Sequence, residues 1–229
     1  MNDAITVCMT MGRRPDLLRQ TFESLGAELD GLPVLAINDF GDSETNEMFA
    51  QVCPQGRRID LGRQVGHHPA VDALYGEVRT PFIFHLEDDW GFHRQGFLGQ
   101  ARALLQSDPG ISIVCLRDVS DFPQSVDWGD APRSVHDDAG DYVRLDHLHD
   151  QWHGFTFNPH LGRKTLWERL GGFSGFRKER HISRHVRGQG QFTAYLDPGA
   201  CAHIGWETSV TEAKVPLEKR LKNWFLRKR

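Results

Sequence analysis

Cysteine is scarce in this chain of 229 residues: there are four, Cys8, Cys53, Cys115 and Cys201. None is spaced as a C-x-x-C pair, which argues against a cysteine zinc site. Cys8 and Cys115 lie inside apolar, strand-like runs and read as buried reduced thiols, a usage that fits a reducing compartment. Long apolar runs are missing too, and none approaches the ~20 residues that span a bilayer. Met1-Asn2-Asp3-Ala4 lacks the basic and apolar regions of a signal peptide. These absences predict a cytoplasmic protein that is not integral to a membrane. An excess of positive charge is also absent: the formal net charge of -4 excludes a generally basic nucleic-acid binder. The twelve histidines show no repeated metal-ligand spacing, and His67-His68 and His147-x-His149 read as surface pairs.

What is present alternates. Ala4 to Thr10 reads as a strand, and Pro15 opens a helix with Leu17, Leu18, Phe22 and Leu25 on one stripe. Val34 to Asn38 is a second strand, Asp39 to Thr45 a polar loop, and Arg58 to Leu61 a third strand. His67 to Val78 has helical spacing. Phe82 to Leu86 is a buried strand, Phe97 to Leu105 a helix, and Ile111 to Leu116 a strand. Between Arg117 and Gln151 the chain is polar, with one strand, Tyr142 to Leu145. Lys164 to Leu170 is a short helix ended by Gly171-Gly172. Arg177 to Arg187 is helical, and Gln191 to Leu196 is the last good strand. Strands alternating with helices predict an α/β domain with a mostly parallel central sheet and a more irregular second half.

The densest chemistry follows Phe82 to Leu86: Glu87-Asp88-Asp89, three consecutive carboxylates where a buried strand leaves the sheet. Like charges at one point repel unless a cation joins them. Oxygen clusters suit Mg²⁺ or Mn²⁺, which in turn hold phosphates. In open α/β sheets, ligands bind at the carboxyl ends of the strands. Taken alone, three acids read as a solvated turn, and only the rest of the chain shifts that reading.

Three segments together resemble the GT-A fold glycosyltransferases of family 2. Thr10-Met-Gly-Arg-Arg-Pro-Asp-Leu-Leu-Arg-Gln-Thr-Phe-Glu-Ser-Leu25 is similar to their opening, P-T-Y-N-R-P-E-L-L-R-R-T-L-E-S-L. Ile37-Asn38-Asp39-Phe40-Gly41-Asp42-Ser43 is similar to their D-N-G-S-x-D loop, and the acidic run stands where they have D-x-D. Gly171-Gly172-Phe173 resembles their G-G-F. The likeness runs roughly from Ile5 to Gly205. Three positions depart from it: the P-T-Y-N is replaced, Glu87 takes the first acid of D-x-D, and only Glu179 remains of the E-D pair after G-G-F. There is no Q-x-x-R-W, which argues against a processive synthase.

The resemblance implies a single GT-A (Rossmann-like) domain over residues 1–213, with a nucleotide-binding half (1–116) and an acceptor-side half (117–213). It implies a metal-dependent, inverting enzyme that takes a sugar from a nucleotide-diphosphate donor, a UDP-sugar, to a hydroxyl on a glycan or lipid-linked acceptor. Mn²⁺ or Mg²⁺ is the implied cofactor. Asp89 and His203 are the implied metal ligands. Thr10, Arg13, Asp39, Glu87 and Asp88 face the nucleotide sugar, with Asp39 on the base, and Glu179 is the catalytic base. Trp152 and His153 shape the acceptor and sugar pocket.

Plainer roles stand beside these: an N-cap for Thr10, a turn or cap aspartate for Asp39, and a hydrogen-bonded structural histidine for His203. Asp88 also reads as pointing to solvent, and Glu179 as a solvated glutamate among Arg177, Lys178 and Arg180, cations that keep it ionised. Core packing also accounts for Phe155 and Phe157. A nucleotidyltransferase, or a nucleotide- or sugar-binding module without catalysis, are the competing functions. Finally, residues 214–229 hold seven Lys/Arg against one Glu. Leu217, Leu221, Trp224 and Phe225 fall on one helical stripe, the pattern of a basic helix lying on an anionic membrane, or docking on the protein itself.

Overall fold

The computed structural model describes residues 4–122 and 131–206. The basic segment 214–229, and with it the membrane-helix expectation, lies outside the described residues.

Among the described residues nine strands form one sheet in the order β3-β2-β1-β4-β9-β6-β10-β8-β7. They are β1 (Ile5–Met11), β2 (Val34–Asn38), β3 (Arg57–Ile59), β4 (Phe82–Glu87), β6 (Ile111–Cys115), β7 (Arg133–Asp137), β8 (Gly140–Arg144), β9 (His160–Arg163) and β10 (Phe192–Leu196). β1, β2, β3 and β4 are mutually parallel neighbours, as are β6 and β10. Only β8 and β9 run against the common direction. A separate two-stranded ribbon pairs β5 (Trp90–Phe92) with β11 (Cys201–His203).

Side chains on a strand alternate between faces, and the two cores follow that period. Val7 and Met9 of β1, Phe82, Phe84 and Leu86 of β4, and Val34 and Ala36 of β2 pack on one face. There they meet α1 (Pro15–Leu25) through Leu18, Phe22 and Leu25, α2 (Ser43–Val52) through Met48 and Phe49, and α4 (Phe97–Ser107) through Phe97 and Leu104. Cys8, Leu35, Ile37 and Ile83 point to the other face, against α3 (His67–Gly76), α5 (Lys164–Leu170) and α6 (Glu179–Gly188). This is the mostly parallel α/β layer arrangement expected, and all four cysteines are buried free thiols.

Several expectations need correction. Asp39–Thr45 is not all loop: α2 starts at Ser43, capped by Asp42, whose side chain accepts from Thr45 N–H at 3.0 Å. The polar stretch 117–151 contains a hairpin, β7–β8, rather than one strand. β9 was not expected: its sequence, His-Leu-Gly-Arg, has one large apolar residue, yet it is sandwiched between β4 and β6. β10 is not the last strand, since β11 follows it. Among the described residues no helix is long and apolar enough to cross a membrane.

The Gly171-Gly172-Phe173 turn is fastened by one side chain. Asp72 of α3 accepts hydrogen bonds from Trp167 Nε1 at 2.8 Å, Phe173 N–H at 2.7 Å and Ser174 N–H at 2.8 Å, and from the Ser174 hydroxyl. Gly172 has φ +88, and a Cβ there would stand 2.9 Å from Asp72 Oδ2. The turn leads into α6, so Asp72 sets where that helix begins. Hydrogen bonds to a charged acceptor are each worth about 1.5–3 kcal/mol, and they are not additive. Asp72→Ala should therefore lower unfolding free energy by about 2–4 kcal/mol. Urea denaturation measures it; a loss within about 0.5 kcal/mol, ordinary for a surface substitution, would show that the turn is held by other contacts.

Candidate active site

The carboxyl ends of β1, β2 and β4 share one edge, because Thr10 pairs in register with both Ile37 and Glu87. A cavity of about 750 Å³ opens there. It gathers Thr10, Arg13, Asp39, Glu87, Asp88, Asp89 and His203, all expected at a nucleotide site and widely separated in sequence. Ribbon pairing explains the last: His203 lies opposite Trp90, one residue after the acids. Gly205 completes the approach, since a Cβ at that position would come within 2.8 Å of the Asp89 side chain.

The acids are not a solvated turn. Asp88 is fully buried, so the solvent-pointing alternative is wrong, and Asp89 is 6% exposed. Arg14, which the sequence reading passed over, forks across both: Nη1 donates to Asp89 Oδ2 at 2.5 Å and Nη2 to Asp88 Oδ1. Asp88 Oδ2 also accepts from Gly12 N–H at 2.8 Å, and His203 Nε2 lies 3.0 Å from Asp89 Oδ2. Burial pushes the Asp88 carboxyl up to about 7, with the guanidinium and the Gly12 N–H pulling against it. Burial works upward on Asp89 too, but His203 and Arg14 outweigh it and hold its pKa below the usual carboxylate range.

Around them, each residue has a defined post. Asp39 accepts from Val65 N–H at 2.7 Å and Gly66 N–H at 2.8 Å, anchoring the loop before α3. The helix cap is Asp42, not Asp39, and the N-cap position of α1 is Arg14, not Thr10. Arg13 adopts φ 59 and stacks its guanidinium 4.5 Å from the centre of the Phe40 ring. A Cβ at Gly12 would come within 2.3 Å of Phe40, so that stack requires glycine before it. His67 is no mere surface residue: it lines the cavity with Nε2 3.6 Å from Glu87 Oε1. Burial works downward on its ring, but Glu87, Glu179 and Asp39 outweigh it and raise its pKa.

A second cavity, of about 450 Å³, is lined by Trp152, His153, Tyr195 and Glu179, among others. His153 holds φ 67, with Nδ1 2.8 Å from the Tyr195 hydroxyl. Burial, with His149 and Arg187 nearby, takes its pKa down to about 4, so the ring is neutral at neutral pH. Phe155 is core and cavity wall at once. The flanking cations were expected to keep Glu179 ionised. Arg177, Lys178 and Arg180 are exposed instead, and burial decides: it pushes the Glu179 carboxyl up to about 7, against the Thr156 hydroxyl, His67 and the Phe157 N–H. Glu87 adds to the rise, so Glu179 feels the charges of the first cavity. Between the cavities Arg117, which sequence reading also missed, pairs with Asp121 at 2.8 Å; Asp121 in turn accepts from His203 N–H at 3.1 Å.

Donors for a divalent cation are at hand. Asp89 Oδ1 and His203 Nδ1 are buried without a partner. Among the described residues no three His, Cys, Asp or Glu side chains converge on one point. A carboxylate and an imidazole alone fit a Mg²⁺- or Mn²⁺-type ion that takes its remaining ligands from water and phosphate.

No family model matches the chain, and no curated protein matches it. Solved structures do. The mannosyltransferase PcManGT from Pyrobaculum calidifontis, in complex with GDP-Man and Mn²⁺, superposes with TM-score 0.65 at 14% identity, over 91% of this chain and 59% of that one. S. aureus TarS 1-349 in complex with UDP-GlcNAc gives 0.62 at 11% identity, over 87% and 58%. The fold is GT-A. The chain spans about three fifths of the length of these structures. In this fold the acidic cluster stands at the edge where β1, β2 and β4 end.

The raised Glu179 pKa has a stability signature. The unfolded chain ionises this carboxyl in the ordinary range, while the fold resists until about 7. The cost is absent at pH 4, grows as pH rises, and is complete above about pH 7. Glu179→Gln should therefore match wild type in unfolding free energy at pH 4 and exceed it at pH 8. Urea denaturation at both pH values checks this; equal stability at pH 8 would show the carboxyl to be well solvated.

Proposed function

We propose that the chain is a glycosyltransferase that moves a sugar from a nucleotide-diphosphate donor to a hydroxyl acceptor, with inversion and with a divalent cation. The observation that carries this reading is the adjacency of two unlike cavities. One is lined by carboxylates and cations and suits a diphosphate. The other has aromatic walls and a carboxyl of near-neutral pKa. Glu179 in the second senses Glu87 and His67 of the first.

In this reading Asp89 and His203 would hold Mn²⁺ or Mg²⁺, whose charge would offset that of the departing diphosphate. Arg13 and Thr10 line the path of the phosphates, and Glu87 faces the ribose. Asp39 retains lone pairs for a base N–H beyond the two amides it already accepts. The donor we name is a UDP-sugar. Trp152 and Tyr195 offer aromatic faces to the apolar side of a sugar ring. The acceptor hydroxyl oxygen attacks the anomeric carbon from the side opposite the diphosphate. The bond from that carbon to the diphosphate oxygen breaks, and its electron pair leaves with the phosphate. The hydroxyl proton passes to Glu179. A base of pKa about 7 is matched to this task near neutral pH. A glycan or lipid-linked hydroxyl is the acceptor class we propose.

A panel of nucleotide sugars with Mn²⁺, monitored for donor hydrolysis, tests the activity. In calorimetry, Asp89→Ala should abolish the Mn²⁺-dependent part of nucleoside diphosphate binding; equal affinity with and without EDTA in wild type would refute the metal role. Glu179→Gln should reduce turnover by about 10²-fold or more while leaving donor affinity within about twofold. A product that keeps the donor's anomeric configuration would refute the mechanism. GDP stabilising the protein far more than UDP would refute the uridine assignment.

A further inference from the structure

Arg14 sits where a cation is needed. Its side chain is 17% exposed, and that of its partner Asp88 is 1% exposed. One terminal nitrogen holds Asp89 Oδ2 at 2.5 Å, the same oxygen that His203 Nε2 approaches at 3.0 Å. Two buried atoms of this pair are left over: Arg14 Nε, a donor, and Asp89 Oδ1, an acceptor. Buried polar atoms are rarely without partners, and such exceptions need an explanation. They are opposite in kind, and the hydrogen bonds made by the fork leave both unsatisfied. An orphan donor on a guanidinium matches an anion; an orphan acceptor on a carboxylate matches a cation.

A divalent ion taken on Asp89 Oδ1, the acceptor left over, would sit on the carboxylate whose Oδ2 the guanidinium holds. Two like charges on one buried carboxylate repel. The two compete for Asp89. The guanidinium has a second good home, because phosphate oxygens fit its fork as well as carboxylates do. We propose that Arg14 is an exchangeable internal cation, which holds Asp88 and Asp89 in place while the donor site is empty and releases Asp89 to the divalent ion when a nucleoside diphosphate takes the guanidinium. Arg14 is thus a positioning residue that makes metal and nucleotide binding mutually dependent. This rests on the proposed function for its diphosphate, but not for its competition with the metal.

Mn²⁺ binding followed by electron paramagnetic resonance tests it, with wild type, Arg14→Gln and Arg14→Lys, each with and without UDP. Wild type should bind Mn²⁺ weakly alone and roughly 5- to 150-fold more tightly with UDP, the usual span of coupling between sites. Arg14→Gln should bind Mn²⁺ alone more tightly than wild type by a factor in that same rough range, and should lose most of the UDP effect. Arg14→Lys keeps the charge without the fork, and should fall between the two. Thermal unfolding adds a second readout: metal-free Arg14→Gln should melt below wild type, and Mn²⁺ should restore it more than it raises wild type. A merely structural arginine would lower the melting temperature without strengthening Mn²⁺ binding, and that result overturns the proposal. So does wild-type Mn²⁺ affinity that ignores UDP. If Arg14→Gln does not fold, wild type and Arg14→Lys decide. If UDP and GDP bind to no variant, the proposed function fails, while the comparison of Mn²⁺ alone still decides the role of Arg14.

Discussion

The constraint on which this structure turns is the mutual repulsion of Glu87, Asp88 and Asp89. A parallel sheet forces its strand ends together, and here it delivers three carboxylates to one edge with Asp88 fully buried. Leaving a buried charge without its partner costs about 3–5 kcal/mol. The fold answers with groups brought from three distant segments: Gly12 N–H and Arg14 after β1, His67 at the start of α3, and His203 on the β5–β11 ribbon. Each segment is then tied down by its own contacts. Asp39 grips the loop before α3, Asp121 accepts the His203 amide, and Gly205 allows the chain to close over Asp89. The site and the surrounding loops are therefore one electrostatic unit.

Much of this was legible in the sequence. Alternating apolar runs marked β1, β2, β4, β6 and β10, because these strands are buried on both faces and their residues can be little else. α5 matched its predicted bounds, Lys164 to Leu170, since Gly171 in a left-handed conformation ends it. The acid run, Asp39, Thr10 and His203 were gathered as the motif order implied. What escaped was structure supported from outside its own segment. β9 has almost no strand signal, and two neighbouring strands supply its pairing. α2 escaped because its start is polar and the cap, Asp42, looked like part of a turn. Arg14 escaped because charge balance across 74 residues has no local pattern. A rule of chemistry would have found it: three acids at one sheet edge call for a cation, and Arg13-Arg14 follows the neighbouring strand.

The two cavities divide the chemistry by polarity. The first concentrates charge of both signs, which in the proposed reaction suits a leaving group that gains negative charge. The second keeps charge out: His153 is neutral, Tyr195 is buried, and the exposed arginines of α6 do not line it. That low polarity is what lifts the Glu179 carboxyl to about 7, and it also makes the ionised form costly to the fold. A well-solvated glutamate at the same place would be more comfortable and a weaker base. The position of Glu179 at the start of α6 limits the cost, because unpaired backbone N–H groups and the helix dipole favour a negative charge there. The helix in turn depends on the Gly171-Gly172-Phe173 turn that Asp72 fastens. A carboxylate on α3 thereby sets where Glu179 stands in the second cavity, while His67, on the first turn of the same helix, faces the acids of the first. α3 is the element through which the two halves of the site keep their spacing.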